Sequence, residues 1–268
     1  MDLRPLFALT PHGPDTFVGS GRVYPWGGLY GGHIVAQALR AAAETVEPEL
    51  LPHSLRAYFI RRGDHTEPVR YEVDRLRNGR SFCTRRVVAR QAVGAILNLE
   101  ASFQVHEETP DVMPVPAPAD VPGPDQATSE SWTPAFDRCF VPRSATPPPP
   151  VGAGRALAWL RATDELGDDE LLQRCVLAYL SDDLPTDAVV RAHPEWADDS
   201  EHRSFYSASL DHTIWFHRPV RADRWHLHDF SCLAFTGARG LSIGQIFAEN
   251  GDHVATVAQE VLLRPSRT

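Results

Sequence analysis

Apolar residues follow two different periods in turn along the first part of the chain. Over residues 34–45 they recur at helical spacing (Ile34, Val35, Ala38, Leu39, Ala42), behind the pair Gly31-Gly32, which predicts a helix packed on a sheet. Residues 70–76, 81–89 and 95–104 then alternate apolar with polar, parted by the hairpin signal Asn78-Gly79 and a turn at Gly94. Three antiparallel strands are expected there. The same grammar returns later. Asp168 is placed to cap a helix running from Glu170 to about Asp182, and strands are expected over 207–217, 225–234, 241–248 and 253–263.

The return is a repeat. Tyr58-Phe59-Ile60-Arg61-Arg62 reappears in degenerate form as Trp215-Phe216-His217-Arg218-Pro219, and both Phe59 to Phe216 and Gly94 to Gly251 are separated by 157 residues. A shared offset implies duplication, at a period too long for a solenoid unit of roughly 20–50 residues. Between residues 110 and 150 lie 12 of the 23 prolines, a composition that favours extended chain. The expected organisation is a first domain over 1–107, a Pro-rich linker over 108–150 docked by Trp132, Phe136 and Phe140, and a second domain over 151–268. Each half then reads as one helix across an antiparallel sheet. The fold class is α+β, with the two sheets meeting edge to edge as one extended sheet.

Charge and composition narrow the function. A formal net charge of -9 and a pI near 5.7 speak against a nucleic-acid partner, which needs a basic surface. There is no apolar run of membrane-span length and no signal-peptide pattern at the start, so a cytoplasmic protein is expected. Cys83, Cys139, Cys175 and Cys232 stand far apart and read as buried free thiols. His226 and His228 share one strand face, but no third ligand accompanies them; the pair reads as a solvated face, and no metal is expected.

Several motifs invite chemistry. Gly240-Leu241-Ser242-Ile243-Gly244 matches the GxSxG nucleophile elbow, which requires a helix after the Ser; here alternating strand continues to Asn250-Gly251. The run from Gly27 to Gly32 precedes a helix, so the amides of Gly31 and Gly32 are candidates to bind substrate by polarising a carbonyl. Three polar residues interrupt apolar rows. Asp182 continues the helical row Leu171, Cys175, Ala178; Gln259 sits among Ala255, Val257, Val261 and Leu263; Ser209 enters the Trp215-Phe216 strand with Asp211 and Thr213 on its face. Together they supply a carboxylate, an amide and a hydroxyl, enough to hold and deprotonate one water.

The runs Gly31-Gly32-His33-Ile34-Val35-Ala36-Gln37, His53-Ser54-Leu55-Arg56-Ala57-Tyr58-Phe59 and Arg80-Ser81-Phe82-Cys83-Thr84-Arg85-Arg86-Val87 resemble the N-terminal half of the acyl-CoA thioesterase II family. Leu177-Ala178-Tyr179-Leu180-Ser181-Asp182, Leu210-Asp211-His212-Thr213-Ile214-Trp215-Phe216 and Val257-Ala258-Gln259-Glu260 resemble its C-terminal half. The resemblance implies a double hotdog fold and a catalytic trio of Asp182, Ser209 and Gln259. It implies hydrolysis of fatty acyl-CoA by an activated water, with no cofactor, in a homo-oligomer. Asp183 is the alternative to Asp182 if the helix ends differently. The offset places Ser102 where Gln259 stands, so one active site per chain is expected. A non-catalytic acyl-CoA binder is the rival from another class. A hotdog hydratase or dehydratase has only His212 beside Asp211 to offer.

Overall fold

The computed structural model describes residues 3–199 and 204–266. Along the first half run β1 (Thr10–Pro11), β2 (Thr16–Gly19), α1 (Gly31–Ala43), β3 (Leu50–Phe59), β4 (Val69–Asn78), β5 (Phe82–Gln91) and β6 (Gly94–Val105). Next come β7 (Thr128–Ser129), β8 (Phe136–Phe140), β9 (Ala153–Ala162), α2 (Glu170–Leu180) and α3 (Pro185–Ala192). The chain closes with β10 (Phe205–Ser209), β11 (Asp211–Phe216), β12 (His226–Thr236), β13 (Arg239–Ala248) and β14 (His253–Pro265).

All strands among the described residues join one sheet, in the order β1-β2-β4-β5-β6-β3-β11-β14-β13-β12-β9-β8-β7, with β10 also on β14. The duplication is visible in that order. β4-β5-β6-β3 is mirrored by β12-β13-β14-β11, and the halves join where β3 pairs antiparallel with β11, from Asp211 opposite Tyr58 to Trp215 opposite Ser54. Both α1 and α2 lie on the inner face and pack against each other. Eleven of the 13 residues of α1 are buried, and the small ones (Ala36, Ala38, Ala41, Ala42) allow the close approach. One hydrophobic core runs through both halves.

Single-residue differences separate the two copies. Strands β5 and β13 are related by the offset of 157, but β6 and β14 are not: Arg85 faces Ala101, while Ser242 faces Gln259. Ala101, and not Ser102, therefore holds the place of Gln259. The cause is the turn from β13 to β14, one residue longer than its counterpart: Phe247 pairs with His253, whereas Arg90 pairs with Ala95. A one-residue slip inverts the faces of a strand. Ser102 accordingly points the other way, with its Oγ 2.8 Å from His53 Nε2.

Other expectations need correction. The helix cap is Asp169, whose side chain accepts from Leu172 N, instead of Asp168. Helix α2 stops at Leu180, so Asp182 lies in the turn before α3, a helix the periodicity does not single out. His226 and His228 are both buried instead of solvated. The proline-rich segment contributes β7 and β8 to the far edge of the sheet, with Phe136 and Phe140 buried. Strand β3, broken by Pro52 and a bulge, and β9, with Ala156, Leu157 and Ala158 all buried, lack clean alternation.

Candidate active site

The turn after α2 carries two adjacent acids whose environments differ. Asp183 is bound by the proline-rich segment: Trp132 Nε1 donates to its Oδ1 at 2.6 Å, and Arg138 Nη1 reaches both carboxylate oxygens at 3.1 and 3.0 Å. Its lone pairs are committed to a clamp. Asp182 faces across the junction between the halves. The backbone N–H of Gly32 donates to its Oδ2 at 2.7 Å, and Ser209 Oγ stands 3.3 Å from its Oδ1.

Ser209 reaches this position because the chain shifts register between β10 and β11. Ser209 pairs with Val261 and Thr213 with Ala258, so Leu210 is one residue too many for continuous pairing. Such a bulge re-aims the side chain beside it. Ser209 therefore shares the inner face with His212, Ile214 and Phe216, and not with Asp211 and Thr213 as simple alternation expects. Asp211 turns outward and accepts from Glu260 N at 2.6 Å.

Gln259, fully buried on β14, links the remaining groups. Its Nε2 donates to Ser209 Oγ at 2.7 Å, and its Oε1 lies 2.5 Å from His212 Nδ1. His212 Nε2 in turn lies 2.9 Å from Ser181 Oγ. Burial keeps His212 neutral, moving its pKa down to about 4. Ser181 Oγ also lies 3.0 Å from Ala178 O, to which its hydroxyl donates. With the His212 proton on Nδ1, His212 donates to Gln259, Gln259 to Ser209, and Ser209 to Asp182. Sequence reasoning brought Asp182, Ser209 and Gln259 together but missed Ser181 and His212. The alternation His212, Ile214, Phe216 along β11 was the available signal.

Burial raises the Asp182 carboxyl to about 7, against the lowering effect of hydrogen bonds from Gln259, Gly32 and Ser209; the nearby Asp183 charge adds to the rise. Aromatic rings shield the site from water. Tyr30 donates its hydroxyl to Tyr179 O at 3.0 Å and packs edge-on against Trp132 and Tyr179. Gly31 and Gly32 are required by proximity. A Cβ on Gly31 would lie 2.6 Å from Asp182 Oδ2, and one on Gly32 would lie 2.3 Å from Tyr179 O. The Gly32 amide, which the sequence offered as a donor to substrate, is engaged by Asp182 here. The GxSxG segment is interior strand: Ser242 lies within β13, buried opposite Gln259. Among the described residues no group of His, Cys, Asp or Glu is arranged to hold a metal ion.

A sheet folded around paired helices in two fused copies, with a carboxylate, hydroxyl and carboxamide at their junction, defines a double hotdog protein of the thioesterase class. Residues 21–104 match the model of the acyl-CoA thioesterase N-terminal domain and residues 107–263 that of the C-terminal domain. The chain belongs to the acyl-CoA thioesterase family. It is 35% identical to acyl-CoA thioesterase 2 of Haemophilus influenzae over 253 residues, covering 88% of this chain and 87% of that one. It is 33% identical to human acyl-coenzyme A thioesterase 8 over 282 residues, covering 96% and 86%. Among solved structures, acyl-CoA thioesterase II TesB2 of Mycobacterium marinum superposes with a TM-score of 0.88 at 36% identity, over 99% of both chains.

Proposed function

We propose that this protein hydrolyses fatty acyl-CoA to free acid and coenzyme A by direct attack of water, with Asp182 as general base. The observation that carries the reading is the placement of Asp182, buried and with its pKa near 7, at the end of the hydrogen-bonded chain His212, Gln259, Ser209. A base with a pKa near the working pH combines adequate ionisation with adequate driving force. Water held between Asp182 Oδ1 and Ser209 Oγ loses a proton to Asp182 and attacks the thioester carbonyl. The tetrahedral oxyanion forms near the positive end of α1, which favours negative charge. Its collapse breaks the C–S bond, and the proton on Asp182 passes to the departing thiolate. No acyl-enzyme forms.

Membership of the family supports acyl-CoA as substrate. The notion of a cytoplasmic homo-oligomer in lipid metabolism is part of the same proposal; four free cysteines suit a reducing compartment. No helix among the described residues is long and apolar enough to cross a membrane. The decisive experiment is thiol release from acyl-CoA, followed with a chromogenic disulfide across a panel of chain lengths. Turnover of at least one member is expected. Tight binding of the whole panel without thiol release would leave a non-catalytic binder instead.

A further inference from the structure

The relation between the halves also marks where a second site would stand. Thr45 lies two residues beyond the end of α1, as Asp182 lies two residues beyond α2. Pro52, Leu55 and Ala101 hold the register positions of Ser209, His212 and Gln259. The hydrolytic chain has no counterpart here. Where the second half has Ser242 facing Gln259, the first half has Arg85 facing Ala101.

Arg85 reaches into the position that Asp182 and its partners occupy in the other copy. Its Nε donates to Thr45 Oγ1 at 2.7 Å, its Nη2 to Thr45 O at 2.9 Å, and its Nη1 to Arg77 O at 2.8 Å and Thr84 O at 3.0 Å. These bonds use four of the five guanidinium N–H groups, all on neutral oxygens. Arg85 is only 1% exposed and makes no ion pair with any carboxylate of the described residues. A buried charge is ordinarily paired, so this guanidinium calls for an anion that the described residues do not supply.

A solvent-open cavity of about 510 Å³ has Arg85 and Thr45 in its lining, within the range of roughly 300–1,000 Å³ usual for small-molecule sites; one guanidinium N–H of Arg85 is left for a ligand there. Arg80, exposed and unpaired among the described residues, lines it as well, and Leu50, Cys83 and Val105 supply apolar wall. Arg75, also in the lining, is already held by both oxygens of Asp15. We propose that this first-half cavity binds an aliphatic monocarboxylate, its head group on Arg85 and Arg80 and its tail against Leu50 and Val105.

The charge balance favours one negative charge over several. Exposed Glu47 and Glu49 line the same cavity and repel a polyanion such as the phosphates of coenzyme A. In the catalytic copy Asp182 repels a carboxylate; here Thr45 has replaced it. The site stands without the hydrolytic reading, although the acid that reaction releases belongs to this class.

Calorimetric titration of the full chain with octanoate, and separately with coenzyme A, tests the proposal. Octanoate is expected to bind the parent and the Asp182→Asn variant with equal affinity. Arg80→Glu and Val105→Trp, which leave the catalytic groups untouched, are each expected to weaken octanoate at least tenfold while thiol release stays within twofold of the parent. Octanoate affinity unchanged in both cavity variants, no octanoate binding at all, or coenzyme A affinity lost in place of octanoate affinity would each overturn it. Thiol release is read separately, so an inactive parent would count against the hydrolytic reading and leave the titrations intact.

Discussion

The N–H of Gly32 meets Oδ2 of Asp182 at 2.7 Å, joining the first turn of α1 to a residue 150 positions further on. Helix α1 begins without a local side-chain cap, since Tyr30 precedes it and offers none. The carboxylate of the second half completes that helix terminus, where the dipole favours negative charge. The bond that finishes the helix also aims the base. Burial outweighs it, and the carboxyl titrates near 7.

Asp182→Asn is expected to lower kcat by about two to four orders of magnitude with an unchanged circular dichroism spectrum. In the parent, kcat should rise with pH and level off above about 7. Stability runs the opposite way. A carboxyl whose folded pKa is near 7 and whose unfolded value is 3.8 keeps its proton longer in the fold, so it costs stability progressively as pH rises between those values. The variant's Tm advantage over the parent should therefore be near zero at pH 4 and greatest above pH 7. A difference that shrinks with rising pH would refute the assignment.

The buried histidines act on the acid side. Burial holds His33, His212 and His226 near 4 and His228 well below its ordinary value. Their depressed folded values mean that stability is complete above about 6.5 and is lost as pH falls toward 4. His228 carries two buried ring nitrogens without a partner among the described residues. His228→Phe is expected to raise Tm, with the gain growing on acidification; thermal scans between pH 4 and 8 measure it.

Gly31→Ala separates helix stability from site geometry. At this first position of the helix alanine gains only part of the roughly 1 kcal/mol it holds over glycine in a helix interior, and its Cβ would stand 2.6 Å from Asp182 Oδ2 and 2.9 Å from the Phe59 ring. The expected result is a Tm within a few degrees of the parent and a loss of about tenfold to a hundredfold in kcat. Gly32→Ala meets the backbone oxygen of Tyr179 at 2.3 Å and should lower Tm as well. Equal behaviour of the two variants would contradict this division.

Ser209 and Gln259 should act as a unit. Gln259→Leu leaves His212 Nδ1–H unpaired, costing roughly 1–3 kcal/mol of stability, and removes the donor to Ser209. In a double-mutant cycle with Ser209→Ala, each single change is expected to reduce kcat about a hundredfold. The double variant should fall less than tenfold below the worse single. Full multiplicative losses would mean that the two side chains work independently.

Much of the fold was legible locally. Alternation located β4, β5, β6, β12, β13 and β14 to within a few residues, because each has one face on the core and periodicity records that directly. The repeat of Phe59 at Phe216 foresaw a joined pair of sheets, and Asp182, Ser209 and Gln259 stood out as polar residues within apolar rows. Composition alone could not say which face His226 and His228 take, since neighbouring elements decide whether an alternating row meets solvent.

Chain order and residue character thus determined the helices α1 and α2, the clearly alternating strands, their duplication and the three polar candidates at the later copy. Tertiary packing decided the rest: that Leu210 turns Ser209 inward, that Ala101 answers Gln259, that His212 completes the chain, and that Gly32 finds Asp182. The physical reason is that a one-residue slip, invisible to local periodicity, inverts every side chain beyond it, while contacts 150 residues apart exist only once both halves have closed on a common core.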